Sequence, residues 1–206
     1  MTAAVFASAA DGFARLVRSL PETSWDGMGL GDWDMRSLVG HTSRSLITVS
    51  DYLRASAAQP DISVDVSDAA AYYVWVREYS SNAGAEAINE RGRQAGRDLG
   101  ADPAITVDGL VARAVADVQH AGDPVISVIG GLGIRLSHYL QTRIFELAVH
   151  GMDIARAAGV DAALPTDVLE EATLLATRVA VRLGQGETVL SALTGRVALP
   201  PAYSVV

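Results

Sequence analysis

From Phe6 through Ala10, Phe13, Leu16, Val17 and Leu20 the apolar residues return every three or four positions, the spacing that lines one face of an α-helix, and Pro21 closes the run. Ser24 to Asp32, rich in Gly and Asp around Trp25, reads as a surface loop. Asp34 can then cap a second helix, with Trp33 and Leu38 at the two positions of a hydrophobic staple. Its seam runs through Val39, Thr42, Leu46, Val49 and Leu53 until Gln59-Pro60, and a polar linker, Asp61 to Ser67, follows. A third segment, about Asp68 to Leu99, is aromatic at first (Tyr72, Tyr73, Trp75, Tyr79) and charged later, so its far end is expected in solvent. Thr106 is expected to cap a short fourth helix that turns Leu110, Val111, Ala114 and Val118 to the core before Gly122-Asp123-Pro124 breaks it. The apolar run Val125 to Ile134 holds three glycines and suits a short strand or an extended buried loop.

The fifth segment, about Arg135 to Ala158, carries two stripes. Leu140, Ile144, Leu147, Gly151, Ile154 and Ala158 make an apolar seam, and a face about 100° round holds Tyr139, Thr142, Glu146, His150 and Asp153. Leu164-Pro165-Thr166 is expected to cap a sixth helix, with Asp167, Glu170 and Glu171 where the helix dipole favours acids and Val168, Ala172, Leu175 and Val179 as its seam. Long amphipathic helices with short connections and almost no alternating strand pattern predict an all-α fold: an antiparallel four-helix bundle with additional short helices and at most minor strands. One domain is expected over 1–206, with 185–206 as an extended C-terminal tail.

Composition acts mainly by exclusion. The 206 residues include no cysteine and no lysine, which removes disulfides, thiolate nucleophiles, cysteine zinc sites, Schiff bases and the P-loop. Sixteen arginines against twenty-four acids leave a net charge of -8, the wrong sign for nucleic acid or an anionic membrane. No run approaches the roughly 18 apolar residues a spanning helix needs, and the N-terminus lacks a signal-peptide block, so the chain is expected in the cytoplasm. GxSxG, GxGxxG and HExxH do not occur. Gly130-Gly131-Leu132-Gly133 reads as a tight connection, and the tyrosine and tryptophan cluster at 72–79 as core.

Glu146 and His150 stand four apart, so both side chains can point at one metal ion, although the same spacing also decorates solvent-facing helices. Their helix is apolar round much of its circumference, and a buried polar pair demands partners. His41, one step from the Val39/Thr42 seam, can face the fifth helix and complete a set of two histidines and a carboxylate, an open catalytic zinc set; it can equally be a core or cap histidine bonded to backbone. A metal-free hydrogen-bond network of the three is the remaining reading. Asp153 can support His150 or accept from Arg156. Arg143 can orient Glu146, hold an anionic substrate or form a surface ion pair. His138 and His120 are alternative ligands, the latter ending the fourth helix where a histidine has a structural reason to be.

Two longer motifs add a family. Trp33-Asp34-Met35-Arg36-Ser37-Leu38-Val39-Gly40-His41 resembles the W-x-x-R-x-L-V-x-H opening of the second helix in the mycothiol-dependent maleylpyruvate isomerase metal-binding family. Tyr139-Leu140-Gln141-Thr142-Arg143-Ile144-Phe145-Glu146-Leu147-Ala148-Val149-His150-Gly151-Met152-Asp153-Ile154-Ala155 resembles its Y-L-x-x-R-x-x-E-L-x-V-H-x-x-D-x-A segment, and the helical order matches across roughly residues 1–185. The resemblance implies a DinB-like bundle in which His41, Glu146 and His150 bind one divalent metal, usually zinc, with mycothiol or a similar thiol as cosubstrate. Zinc deprotonates a coordinated thiol, so a chain without cysteine would borrow its sulfur. It further implies a thiol-dependent isomerase or S-transferase acting on a small electrophile, with Arg143 and Asp153 as catalytic candidates; the alternative is a non-catalytic metal- or ligand-binding, regulatory bundle of the same family. An arginine of the third helix contributes to catalysis in relatives, and Arg91 and Arg93 are the candidates here. Many members carry a second, C-terminal domain, whereas about twenty residues follow the sixth helix in this sequence. A homodimer through bundle helices is compatible with the pattern but is not read from it.

Overall fold

A computed structural model describes residues 1–59, 61–83 and 85–206, and in it the apolar seams become helices. In chain order these are α1 (Thr2–Ser19), α2 (Met35–Ser56), α3 (Ala69–Ala83), α4 (Ala85–Asp98), α5 (Pro103–Ala121), α6 (Leu136–Ala158), α7 (Thr166–Arg182) and α8 (Gly186–Leu193). A hairpin of β1 (Val125–Ser127) and β2 (Gly133–Arg135) joins α5 to α6. Helices α1 and α2 each pack on both α5 and α6, making the bundle; α4 lies on α2, α7 on α6, α3 on α7 and α6, and α8 on α7. Phe6, Leu38, Leu46, Val107, Ile126, Ile144 and Ile154 meet in the core with no exposed surface. The all-α expectation holds, and the two short strands are the minor ones it allowed.

Local chemistry sets the ends of the two helices that matter most. The Asp34 carboxylate accepts from the Ser37 backbone N–H at 2.7 Å, a cap of about 1 kcal/mol that starts α2. Gly159, at φ 68 and ψ 29, ends α6 in the left-handed conformation. Helix α4 crosses α2 at glycines: a Cβ on Gly40 would fall 2.2 Å from the Gly96 nitrogen, so only a residue without one permits the approach. The hairpin pairs Ile126 with Ile134, both fully buried, so the apolar run 125–134 is strand at its two ends and a tight turn at Ile129–Gly131 between them.

Several boundaries differ from the sequence pattern. The described parts of the segment 68–99 pack on different partners, α3 on α7 and α6 and α4 on α2. The fourth helix is neither short nor capped by Thr106. It starts at Pro103, whose missing N–H suits a first turn, behind Asp102, which accepts from the Ile105 N–H at 3.1 Å; Thr106 instead donates to the Leu99 carbonyl at 2.8 Å. Helix α2 ends at Ser56, ahead of the expected stop, and Pro60 lies outside the described residues. Thr166 is the first residue of α7, which has no side-chain cap. The tail expected to be extended from 185 begins instead as α8, whose residues pack on α7. Among the described residues no helix is long and apolar enough to cross a membrane.

Candidate metal centre

Three helices each send a stripe of mostly polar-tipped side chains to one cavity of about 240 Å³. His41, Arg44, Ser45, Thr48 and Tyr52 come from α2 at spacings of three and four, Tyr139, Arg143 and Glu146 from α6, and Tyr72, Tyr73 and Val76 from α3. These spacings put each set on one helical face, so the bundle packing of α2 against α6 brings the stripes together.

His41, Glu146 and His150 offer ligand atoms that all lie within 4.8 Å of one another, although 105 positions separate the first two in the chain. Nε2 of His150 stands 3.3 Å from Oε2 of Glu146, and the His41 and His150 rings meet edge to face with centroids 5.1 Å apart. The second oxygen of Glu146 accepts from the Tyr73 hydroxyl at 2.6 Å, and the same hydroxyl lies 3.2 Å from the Thr142 carbonyl. Nδ1 of His150 faces Asp153 at 3.4 Å, while Arg156 approaches the other Asp153 oxygen at 3.4 Å, so that aspartate contacts both. Trp33 lies on His41 with centroids 4.4 Å apart.

Burial and mutual charge set the protonation. Burial pushes the Glu146 carboxyl up, but the His150 hydrogen bond and the Arg143 charge outweigh it and hold the group down at about 2. Burial lowers His150, yet Asp153 and Glu146 together raise it to about 9. Burial first, and then the His150 charge, pull His41 down to about 4. The trio is thus built around positive charge at the His150/Glu146 contact. Without a proton or a metal between them, the Nε2 lone pair would oppose the carboxylate. Two imidazoles and a carboxylate in this proximity are donors that fit a divalent cation, and Asp153 and Tyr73 are the outer partners such ligands require.

Arg143 neither orients Glu146 nor pairs at the surface. Its guanidinium stacks on the Tyr139 ring at 4.8 Å and its Nε donates to Thr142 Oγ1 at 3.0 Å; among the described residues no carboxylate comes within 4.0 Å of it. Of the two other arginine candidates, Arg91 lines the cavity, whereas Arg93 is tied to Glu86 and Glu90 at the surface. His120 stands apart, with Nδ1 on the Ala116 carbonyl at 2.7 Å, and His138 opens on a different cleft, beside Arg178. Arg36 of the first motif is structural, donating to the Gly100 carbonyl at 2.8 Å.

Residue patterns alone did not assign Tyr73 or Trp33 to this site. Tyr73 reads as core and is buried, but its hydroxyl is the clue, since a buried tyrosine needs a partner for its O–H. Trp33 reads as a staple; the position that exposes its role is Gly92, where a Cβ would strike the indole at 2.7 Å.

The family model of the mycothiol maleylpyruvate isomerase N-terminal domain matches residues 6–155. The crystal structure of the mycothiol-dependent maleylpyruvate isomerase is similar at a TM-score of 0.57 and 15% identity, over 82% of this chain and 65% of that chain. The likeness identifies the fold as the DinB-like bundle, and this chain spans just under two thirds of that protein's length. No curated protein matches the sequence. The family model spans both motifs and everything between them, and the chain belongs to the mycothiol maleylpyruvate isomerase N-terminal domain family.

Proposed function

We propose that this chain is a divalent-metal-binding enzyme that uses a low-molecular-weight thiol, mycothiol or one like it, to isomerise or S-modify a small anionic electrophile. The observation that carries the reading is the convergence of His41, Glu146 and His150 beside a cavity lined by an arginine with no ion-pair partner among the described residues. These three side chains would hold the metal, and zinc suits two imidazoles and a carboxylate with a position left open. Bound there, the ion supplies a lowered thiol pKa, hence a thiolate at neutral pH in a chain with no cysteine of its own.

The chain's own residues do the rest. Tyr73 holds one Glu146 oxygen, Asp153 fixes the His150 ring with Nε2 turned inward, and Trp33 backs His41. Arg143, flat on Tyr139 and bonded through Nε alone, keeps its outer N–H groups for a bidentate carboxylate. Arg44 and Arg91 add positive charge to the same wall, which favours an anionic substrate. Tyr52, Tyr72 and Tyr139 supply flat walls for a conjugated one. A thiolate that adds to an activated double bond and leaves again gives cis/trans isomerisation, and one that stays attached gives S-transfer. A cytoplasmic setting suits both cosubstrates.

The test is metal content of the untagged protein, wild type beside Glu146→Ala and His150→Ala, followed by thiol-dependent turnover of a maleylpyruvate-like electrophile. Near-stoichiometric metal in the wild type, lost in both variants, together with turnover, supports the proposal. No metal after incubation with zinc overturns it. Metal and ligand binding without turnover selects the alternative, a binding or regulatory bundle.

A further inference from the structure

The buried tyrosines of the metal-site cavity differ in what their hydroxyls touch. Tyr73 donates to Glu146 Oε1 at 2.6 Å and Tyr139 donates to Thr48 Oγ1 at 2.8 Å, so both phenols are committed to protein partners. Tyr72 lines the same cavity and is 5% exposed, yet among the described residues its hydroxyl has no hydrogen-bond partner. Ser50 Oγ is both unpartnered and enclosed; the Tyr72 oxygen is unpartnered but keeps accessible surface, and the space that Tyr72 lines is the cavity. A buried phenol finds a partner for its O–H with few exceptions, so one left open toward a cavity points to an atom of the ligand. Tyr52 also lines the cavity without a partner among the described residues, but it is half-buried and carries no such demand.

Packing holds this phenol in place. Its ring meets those of Tyr73 and Tyr139 edge on, with centroids 6.0 Å away in each case. Tyr139 carries the Arg143 guanidinium 4.8 Å from its ring centroid, and Tyr73 reaches the Glu146 carboxylate. Tyr72 is therefore one ring away from the unpaired arginine and one ring away from the metal set. Burial raises its phenol above the ordinary value of 10, so the group is a neutral donor at physiological pH. A fixed donor in a site that excludes most water is the arrangement that stabilises charge developing on an oxygen.

We infer that Tyr72 is a catalytic residue: its hydroxyl donates to the carbonyl oxygen of the electrophile and stabilises the negative charge that gathers there. The inference rests on the thiol-addition reading of the same cavity. As the thiol sulfur bonds to the carbon β to that carbonyl, the double-bond electron pair shifts and places charge on the carbonyl oxygen. The Tyr72 hydrogen bond strengthens at that point, and its proton stays on the phenol. The former double bond, now single, rotates; when the carbon–sulfur bond breaks, the pair returns and the oxygen is again a carbonyl. Tyr72 thereby favours the charged intermediate over the substrate, which raises kcat rather than affinity.

Tyr72→Phe tests it, since it removes the hydroxyl and keeps both ring contacts. With maleylpyruvate and mycothiol, kcat is expected to fall at least tenfold, about 100-fold being usual for one such donor, with KM within about threefold and metal content and helical content unchanged. A second readout needs no turnover: trans-benzylidenepyruvate, an unsaturated 2-oxo acid, is added without thiol, and its absorption is expected to move to longer wavelength on the wild type and by less than half as much on Tyr72→Phe. A smaller fall in kcat, or a probe shift retained in the variant, overturns the inference. So does a fall that comes with loss of metal or of helical content, which would make Tyr72 part of the scaffold. If the wild type shows no thiol-dependent turnover, it is the thiol reading of the cavity that fails, and the probe alone decides Tyr72. A shift lost in the variant then supports its role as a carbonyl donor, and no shift on the wild type overturns it.

Discussion

Tyr73 donates its phenolic hydrogen to Oε1 of Glu146 at 2.6 Å, leaving Oε2 to face His150. One residue on α3 thereby decides which oxygen of an α6 carboxylate is available to the metal set. Burial first, and then the Glu146 charge, push the Tyr73 phenol well above its ordinary range, so it stays a donor at any physiological pH.

Replacing Tyr73 with Phe removes that hydrogen bond and keeps the ring. We expect metal affinity to fall about tenfold or more, the usual effect of losing an outer partner, and stability to fall by about 1 kcal/mol. Chelator competition and urea unfolding measure the two. Unchanged affinity would mean that His150 alone orients the carboxylate.

Asp153→Asn keeps a hydrogen-bond acceptor but removes the charge that holds His150. Metal affinity is expected to drop about 10- to 100-fold with the helical content intact, read by chelator competition beside circular dichroism. An unaltered affinity would show that the 3.4 Å contact contributes nothing to ligation.

Arg143→Ala and Arg93→Ala should separate cleanly. Arg143 lines the cavity without an ion pair, and losing a charged hydrogen-bond donor to substrate costs about 1.5–3 kcal/mol, or roughly 10- to 150-fold in kcat/KM for an anionic electrophile. Arg93 sits in solvent-screened surface pairs with Glu86 and Glu90, and its loss should leave turnover unchanged. Steady-state kinetics with anionic and neutral substrates decides between them.

Gly40→Ala tests the crossing of α2 and α4. The added methyl would stand 2.2 Å from the Gly96 nitrogen and 2.4 Å from the Ala95 carbonyl carbon, backbone that cannot step aside. A loss of about 3 kcal/mol or more is expected by chemical denaturation, together with a weakened site, since His41 is the next residue on the helix.

Asp68 provides a pH signature away from the metal. Burial works to raise its carboxyl, but the Ala71 backbone N–H, accepted at 2.9 Å, and then Arg182 outweigh it and hold the group below its ordinary value of 3.8. A depressed carboxyl contributes stability that is fully present above the unfolded value and disappears as pH falls through the folded one. Asp68→Ala should cost about 1 kcal/mol at pH 7, mostly the lost cap, and the gap to wild type should narrow as pH is lowered below about 4. A gap that stays constant down to pH 2 would refute the assignment.

Much of this architecture is written in local spacing. The seams of α1, α2, α6 and α7 are legible because a helix repeats every 3.6 residues, and the Asp34 cap because a cap is a matter of three consecutive positions. The same locality explains why Glu146, His150 and Asp153 could be named together: they occupy one face of one helix. Where expectation and structure part, the cause is either a competing local signal or a contact distant in sequence. Thr106 loses its capping role to Asp102 because Pro103 opens the turn earlier, and α4 is held on α2 rather than left in solvent by a contact between segments far apart in sequence.

The sequence by itself therefore determined the helical class, the seams of the long helices and the chemistry available on each face. Tertiary structure alone decided that His41 meets Glu146 and His150, that Tyr73 reaches across from α3, and that Arg91 rather than Arg93 lines the cavity. The physical reason is that helical periodicity fixes the direction of a side chain around its own axis. The axial register of one helix against another is fixed only by packing, here by the close approach of Gly40 to Gly96 and by the core that α1 and α2 build with α5 and α6.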